Sequence, residues 1–201
     1  SNVAATEGLA QIIGEPFFRM LWDLETGHMT MAGWAVMFAP FFLVMFVSRR
    51  MFSMSPTAAK ATFFAYAGLV GLELAWIPLV FNLPSLFGTF LATTIMYGGL
   101  AAFGYFTKKD LSAWGKFLFM ALLGLIGALL MSIIFGFDSI LLSIAFVLVF
   151  AGLTAYKTQA IKQIYMVNGG AGNLAVFGAL TLYITFVNMF VFLLHIFGGR
   201  R

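Results

Sequence analysis

Glu73 is the only acidic residue that lies deep inside one of the long apolar runs of this 201-residue sequence, thirteen residues after Lys60. At 1.5 Å per residue, that separation is about 20 Å along a helix, which places the carboxyl group beyond the middle of a bilayer. An ionised carboxylate there is costly unless it is paired or exposed to water. Glu73 is therefore either a group on an ion or proton path, or a protonated acid that hydrogen-bonds a neighbouring helix.

A polar stripe follows the last apolar run and consists of Thr181, Thr185, Asn188 and His195. Offsets of 0, 4, 7 and 14 residues place these side chains on one face of a helix. The expected depth of Thr185 is similar to that of Glu73, which predicts that the two helices line one central cavity. The alternative is that the stripe supplies hydrogen bonds between packed helices.

Two lysines, Lys157 and Lys162, come at the predicted end of the fifth apolar run. Lysines at such positions usually extend their ammonium groups to the lipid headgroups. The alternative is that Lys157 places a fixed positive charge at the inner mouth of a pore.

Few residues of this chain could act in catalysis or bind a cofactor. The sequence contains no cysteine and two histidines, His28 and His195, which argues against zinc sites and paired haem ligands. His195 has no evident acidic neighbour, and no pairing of a nucleophile with a base stands out. We therefore expect no catalytic residues, no metal site, no cofactor and no enzymatic activity.

Composition predicts an all-α integral membrane protein. Hydrophobic residues make up 62% of the chain and charged residues 9%, whereas an ordinary soluble domain is about a quarter charged. Six apolar runs, each near the length that spans a bilayer, predict six transmembrane helices at 31–48, 57–81, 86–106, 115–137, 139–156 and 173–197. Residues 1–30 are acidic and predict an interfacial or extramembrane segment, so residues 31–201 form the transmembrane domain.

Local signals refine the ends and contacts of these helices. Ser55 and Pro56 are typical of a helix N-cap followed by proline at the first position. Residues 82–85 predict a tight turn, and residues 138–139 predict another helix start. Small residues on the second and fourth helices, which include Gly68 and Gly124, predict close helix packing.

Basic residues orient the predicted bundle. Eight of the eleven fall beside the loops after the first, third and fifth helices: Arg49, Arg50, Lys60, Lys108, Lys109, Lys116, Lys157 and Lys162. Such loops stay in the cytoplasm, or in the matrix of a mitochondrion, so the N-terminus is external. Basic residues that alternate with apolar runs do not form a nucleic-acid patch.

Three stretches resemble the transmembrane Bax inhibitor motif family, whose founding member is Bax inhibitor-1. They are YFTKKDLSAWGKFLFM at 105–120, GLTAYKTQ at 152–159 with the residues up to 165, and ALTLYITFVNMF at 179–190 with the residues up to 198. The resemblance implies a bundle of about six helices around a central C-terminal helix. It also implies a pH-sensitive calcium leak that moderates cell death or stress.

In the family, that leak is attributed to two aspartates that share a proton and close the pore. This chain has Lys157 and Thr185 at the matching positions, so the coupled carboxylate pair cannot form. A fixed positive charge there disfavours a cation path. The family also has an additional first span where this chain has residues 1–30.

Two functions therefore remain open. The first is a channel-like protein for ion homeostasis, in which cations such as calcium pass Glu73 and the polar stripe. The second is a non-conducting structural or regulatory subunit of a larger inner-membrane complex, such as a respiratory complex or a membrane protease, docked through residues 1–30. The expected partners are membrane lipid, calcium in the first case and complex subunits in the second. The expected location is a bacterial or mitochondrial inner membrane.

Overall fold

The computed structural model describes residues 30–50, 53–75, 77–135, 140–170 and 172–199. These residues form seven helices: α1 (Met31–Arg50), α2 (Pro56–Glu73), α3 (Ile77–Val80), α4 (Leu83–Phe106), α5 (Ser112–Phe135), α6 (Ile140–Val167) and α7 (Gly172–Phe197). They belong to two compact units, one that ends at Asn82 and one that comprises Leu83–Gly199. The predicted interfacial segment, apart from Thr30, and the predicted helix start at 138–139 lie outside the described residues.

The first unit contains α1 and α2, which pack against each other. The Ser55 hydroxyl accepts a hydrogen bond from the backbone N–H of Ala58, and Pro56 occupies the first helical position. This geometry satisfies one of the N–H groups that a helix start leaves without a partner. The N-cap predicted at Ser55 and Pro56 is confirmed.

The prediction of one continuous helix over 57–81 is wrong. Helix α2 ends at Glu73, a turn follows at Leu74, and α3 is a separate helix of one turn. The cause is Pro78, which has no N–H to donate to the carbonyl of Leu74 and whose ring would collide with that carbonyl in a continuous helix. Glu73 therefore lies at a helix end.

The second unit is built from four long helices. Helix α6 packs against α4, α5 and α7, and α7 also packs against α4. In the core, the ring of Phe146 stacks on Phe192 with 4.2 Å between the ring centroids, and Met189 is fully buried nearby. Helix α4 begins at Leu83. The tight turn predicted at 82–85 is therefore part of the first helical turn, where Pro84 has no helical N–H partner to lose.

The surface of the second unit is that of a membrane protein. All four helices are long and apolar enough to cross a bilayer, although α5 qualifies only up to Ser132. Large apolar side chains point outward along them, for example Phe87 at 70% exposure and Leu141 at 73%. An apolar exterior of this extent requires lipid. The described fold is therefore that of an all-α integral membrane protein, as the composition predicts.

Glycines other than those of the predicted stripes allow the helices of the second unit to approach closely. A Cβ atom on Gly104 of α4 would overlap the carbonyl of Ala155 in α6, and one on Gly178 of α7 would collide with Ile161. Among the described residues, no heavy atom of another helix lies within 4 Å of such a Cβ on Gly68 or Gly124, the glycines of the predicted small-residue stripes. The spacing in the sequence identifies helix faces that carry small residues. The contacts between helices determine which glycines are needed for close packing.

Helix α6 continues to Val167, so the prediction that Lys157 and Lys162 end the fifth helix is wrong. The turn that follows the helix contains Gly169 and Gly170, which have φ values of 67° and 77°. The N–H of Gly170 donates to the carbonyl of Tyr165 at 3.0 Å, the bond that closes a Schellman motif. A helix of 28 residues is about 42 Å long and exceeds the roughly 30 Å of hydrocarbon in a bilayer.

Candidate functional site

Lys157 and Thr185 face each other across the interface of α6 and α7. The ammonium Nζ of Lys157 donates to Oγ1 of Thr185 over 3.5 Å, although the residues are 28 positions apart in the chain. Thr185 is fully buried. Its hydroxyl donates to the carbonyl of Thr181 at 2.9 Å, which leaves lone pairs on the oxygen to accept from the lysine.

No described carboxylate in the second unit neutralises Lys157. Among the described residues of that unit, the only acidic side chain is Asp110, which is exposed in the loop after α4. The Asp110 carboxylate accepts a hydrogen bond from the backbone N–H of Ser112 at 2.9 Å. The Lys157–Thr185 contact therefore combines a cation with a neutral hydroxyl, which is a different electrostatic site from a pair of carboxylates that shares a proton.

Thr181 and Asn188 of the polar stripe are hydrogen-bonded along their own helix. The Thr181 hydroxyl donates to the carbonyl of Phe177 at 2.9 Å, and the side-chain amide of Asn188 donates to the carbonyl of Ile184 at 2.8 Å. Both residues are half-buried, as is His195 in the last turn of α7. These bonds satisfy the polar groups without a neighbouring helix. Of the Thr181, Thr185 and Asn188 side chains, Thr185 is the one that bonds another helix within the described residues, where its hydroxyl accepts from Lys157.

Glu73 is half-buried at the end of α2 and belongs to the first unit, whereas the stripe belongs to the second. A common cavity for Glu73 and Thr185 stays a prediction. In the described ranges, no group of three or more His, Asp or Glu side chains is placed to hold a metal ion.

Side chains of α6 hold the loop after α4 by hydrogen bonds. This arrangement, called the clamp below, was not predicted from the sequence. The buried side-chain amide of Gln159 accepts from the N–H of Leu111 at 2.9 Å and donates to the carbonyl of Lys109 at 2.7 Å. One turn further along α6, Lys162 donates to the carbonyl of Tyr105 at 2.8 Å, and its Nζ lies 4.2 Å from the centroid of the Tyr105 ring. One indication in the sequence that these residues matter is that Gln159 and Tyr105 both belong to the stretches that resemble the family.

The clamp also places the loop that carries Lys108 and Lys109 at the same end of the unit as Lys162. The distribution of basic residues predicts this arrangement, because it assigns these lysines to one side of the membrane.

Comparison with known proteins now identifies the family. The family model described as "Inhibitor of apoptosis-promoting Bax1" matches residues 4–201. The chain belongs to the Bax inhibitor-1 family. An uncharacterized protein of Caulobacter vibrioides is 42% identical over 172 residues, which cover 83% of this chain and 69% of the relative.

Two further relatives extend the comparison. "Inner membrane protein YbhL" of Escherichia coli K12 is 38% identical over 166 residues, or 79% of this chain and 71% of YbhL. The uncharacterized protein RP147 of Rickettsia prowazekii is 32% identical over 192 residues, or 93% of this chain and 79% of RP147. The predicted family is confirmed, and this chain is a membrane protein of the Bax inhibitor-1 family.

Proposed function

We propose that this chain is a non-conducting member of the Bax inhibitor-1 family, whose membrane bundle has a structural or regulatory role. The observation that carries the proposal is the 3.5 Å contact between Lys157 and Thr185. The resemblance places two aspartates that share a proton at these two positions. The lysine and the threonine cannot reproduce that titration, because neither supplies a carboxylate.

The charge of Lys157 opposes a calcium path at this contact. Two unit charges 4 Å apart repel by about 4 kcal/mol at an effective dielectric constant of 20, so a divalent cation is opposed by about 8 kcal/mol. The described residues of the second unit place no carboxylate beside Lys157 to offset that repulsion. A calcium leak through this contact is therefore disfavoured.

The proposed location is a bacterial inner membrane. It is supported by the name of YbhL, an inner membrane protein of Escherichia coli, and by relatives that come from bacteria. In this membrane the chain would act as a subunit of a larger complex, with residues 1–30 as the docking segment. Co-purification after extraction in a gentle detergent tests this part, and recovery of only the free monomer would contradict it.

Calcium flux into liposomes tests the absence of conduction. The purified native chain is measured at pH 6 and pH 8 beside the double variant Lys157→Asp, Thr185→Asp. We expect the native chain to be silent at both pH values and the double variant to leak calcium in a pH-dependent way. The exposed Lys116 supplies the control variant Lys116→Asp, which alters the charge of the protein outside the contact.

A native chain that leaks calcium would overturn the proposal and favour the channel-like alternative. In that case Glu73→Gln decides whether the ion path passes Glu73, since unchanged flux in this variant removes Glu73 from the mechanism.

A further inference from the structure

Three lysines at one end of the second unit have no partner within the protein as described. Lys108 and Lys109 lie in the loop between α4 and α5, and Lys116 lies in the first turns of α5. All three are exposed, and their side chains make no hydrogen bond or ion pair within the described part of the chain. Lys162 at the same end differs, because its ammonium group is bound to Tyr105.

The backbone that carries the two loop lysines is held in place. Gln159 binds the carbonyl of Lys109 and the N–H of Leu111. The N–H of Lys109 also donates to the Thr107 hydroxyl at 3.3 Å, and Asp110 accepts from Ser112. A short loop that is bound at several points loses little further conformational entropy when it binds a ligand. The loop therefore presents Lys108 and Lys109 from a preformed backbone.

An exposed tryptophan indicates the depth of this region in the membrane. Trp114 lies in the first turn of α5, is 60% exposed and packs edge-to-face on the exposed Phe117. Tryptophan side chains of this kind concentrate at the level of the lipid headgroups. Lys108, Lys109, Lys116 and Trp114 together are called the headgroup face below.

We propose that the headgroup face is a binding site for anionic phospholipid. Its ammonium groups complement the phosphodiester and net negative charge of a lipid such as phosphatidylglycerol, while Trp114 contacts the glycerol and upper acyl region. The one described carboxylate in the loop, Asp110, contributes one negative charge against the three positive charges of the lysines, so the face keeps a net positive charge. A zwitterionic lipid offers the same phosphate without net charge, so the lysines favour the anionic lipid.

Quenching of Trp114 fluorescence by brominated lipids measures this preference. The other three tryptophans are replaced in the variant Trp22→Phe, Trp34→Phe, Trp76→Phe, and the protein is reconstituted with mixtures of brominated phosphatidylglycerol and phosphatidylcholine. We expect phosphatidylglycerol to quench at lower mole fraction than phosphatidylcholine. Adding Lys108→Gln, Lys109→Gln should reduce the preference by about 25-fold, because each surface lysine contributes a factor of about five.

Lys60→Gln is the control, because Lys60 is also exposed and belongs to the first unit; we expect it to leave the preference unchanged. Equal quenching by the two lipids, or a preference that survives Lys108→Gln, Lys109→Gln, would overturn the proposal. Inorganic phosphate at constant ionic strength should not displace the lipid. Displacement would show a site for soluble phosphate and would also overturn it.

Discussion

The ammonium nitrogen of Lys157 lies 3.5 Å from the hydroxyl oxygen of Thr185 in the interior of the second unit. The resemblance to the family had marked these two residues separately, as the positions where two aspartates are missing. Their contact shows that both changes alter one site. A cation beside a hydroxyl stands where the resemblance implies two acids that share a proton, so the pair in this chain has different chemistry.

The first prediction concerns the cost of keeping Lys157 inside the bundle. We expect Lys157→Met to raise the temperature of thermal unfolding in detergent, because methionine has a similar length and removes a charge whose one described partner is a neutral hydroxyl. The shift can be followed by intrinsic fluorescence during heating. Lys116→Met, at an exposed lysine of α5, is the control and should change the temperature little. A marked loss of stability in Lys157→Met would reveal a stronger partner for the ammonium group.

The second prediction concerns the clamp on the loop after α4. Gln159→Ala removes the two hydrogen bonds to Lys109 and Leu111 and should lower the free energy of unfolding by about 1–3 kcal/mol. Denaturant unfolding of the detergent-solubilised protein measures the loss. Gln163→Ala changes an exposed glutamine on the same helix and should have little effect. Equal effects of the two variants would mean that the clamp does not stabilise the fold.

The third prediction tests the close approach of α4 and α6. We expect Gly104→Ala to destabilise the protein by about 1–3 kcal/mol, because the new methyl group would overlap the backbone carbonyl of Ala155. Gly98→Ala in the same helix has open space around its Cβ and should be neutral or stabilising, since alanine has the higher helix propensity. Unfolding of the two variants under the same conditions checks both expectations. Similar unfolding of both would argue against backbone contact at Gly104.

The fourth prediction concerns pH and the loop residue Asp110. Hydrogen bonds from the side chain and the backbone of Ser112 hold the pKa of the Asp110 carboxyl below its usual value. The ionised form therefore stabilises the folded state above the unfolded pKa of about 3.9, and this contribution is lost as the pH falls through the lower folded pKa. Asp110→Asn does not titrate, so native protein should be the more stable at pH 7.

The gap in unfolding temperature between the native protein and Asp110→Asn is measured from pH 7 down to pH 3. It should narrow as the pH falls. A gap that is constant with pH would show that the charge of Asp110 does not contribute to folding.

Much of the fold followed from local chemistry in the sequence. Apolar runs long enough to span a bilayer can form only helices or closed barrels there, because every backbone polar group must find a partner within the protein. This constraint located the six long helices to within a few residues, except at the ends of α2 and α6. The cap at Ser55 was predictable because it depends only on a contact between residues three apart in the sequence.

The predictions for the ends of α2 and α6 were wrong, and each shows a limit of prediction from the local sequence. Pro78 ends α2 at Glu73, but the apolar run that contains this proline is long enough to be predicted as one transmembrane helix. Lys157 and Lys162 look like the end of a span, yet α6 continues past both. Their charges are accommodated by Thr185 and Tyr105, which lie on other helices. Whether a charge ends a span therefore depends on partners that are distant in the chain.

By itself, the sequence determined the helical membrane architecture, the family and the two departures at Lys157 and Thr185, because each depends on residue type at known positions along one chain. Only the tertiary structure decided that these two residues are in contact, that Gln159 holds the loop after α4, and that Gly104 rather than Gly124 is needed for packing. These features depend on the rotation and spacing of neighbouring helices. Apolar side chains on every face of a membrane helix leave that rotation undetermined in the sequence.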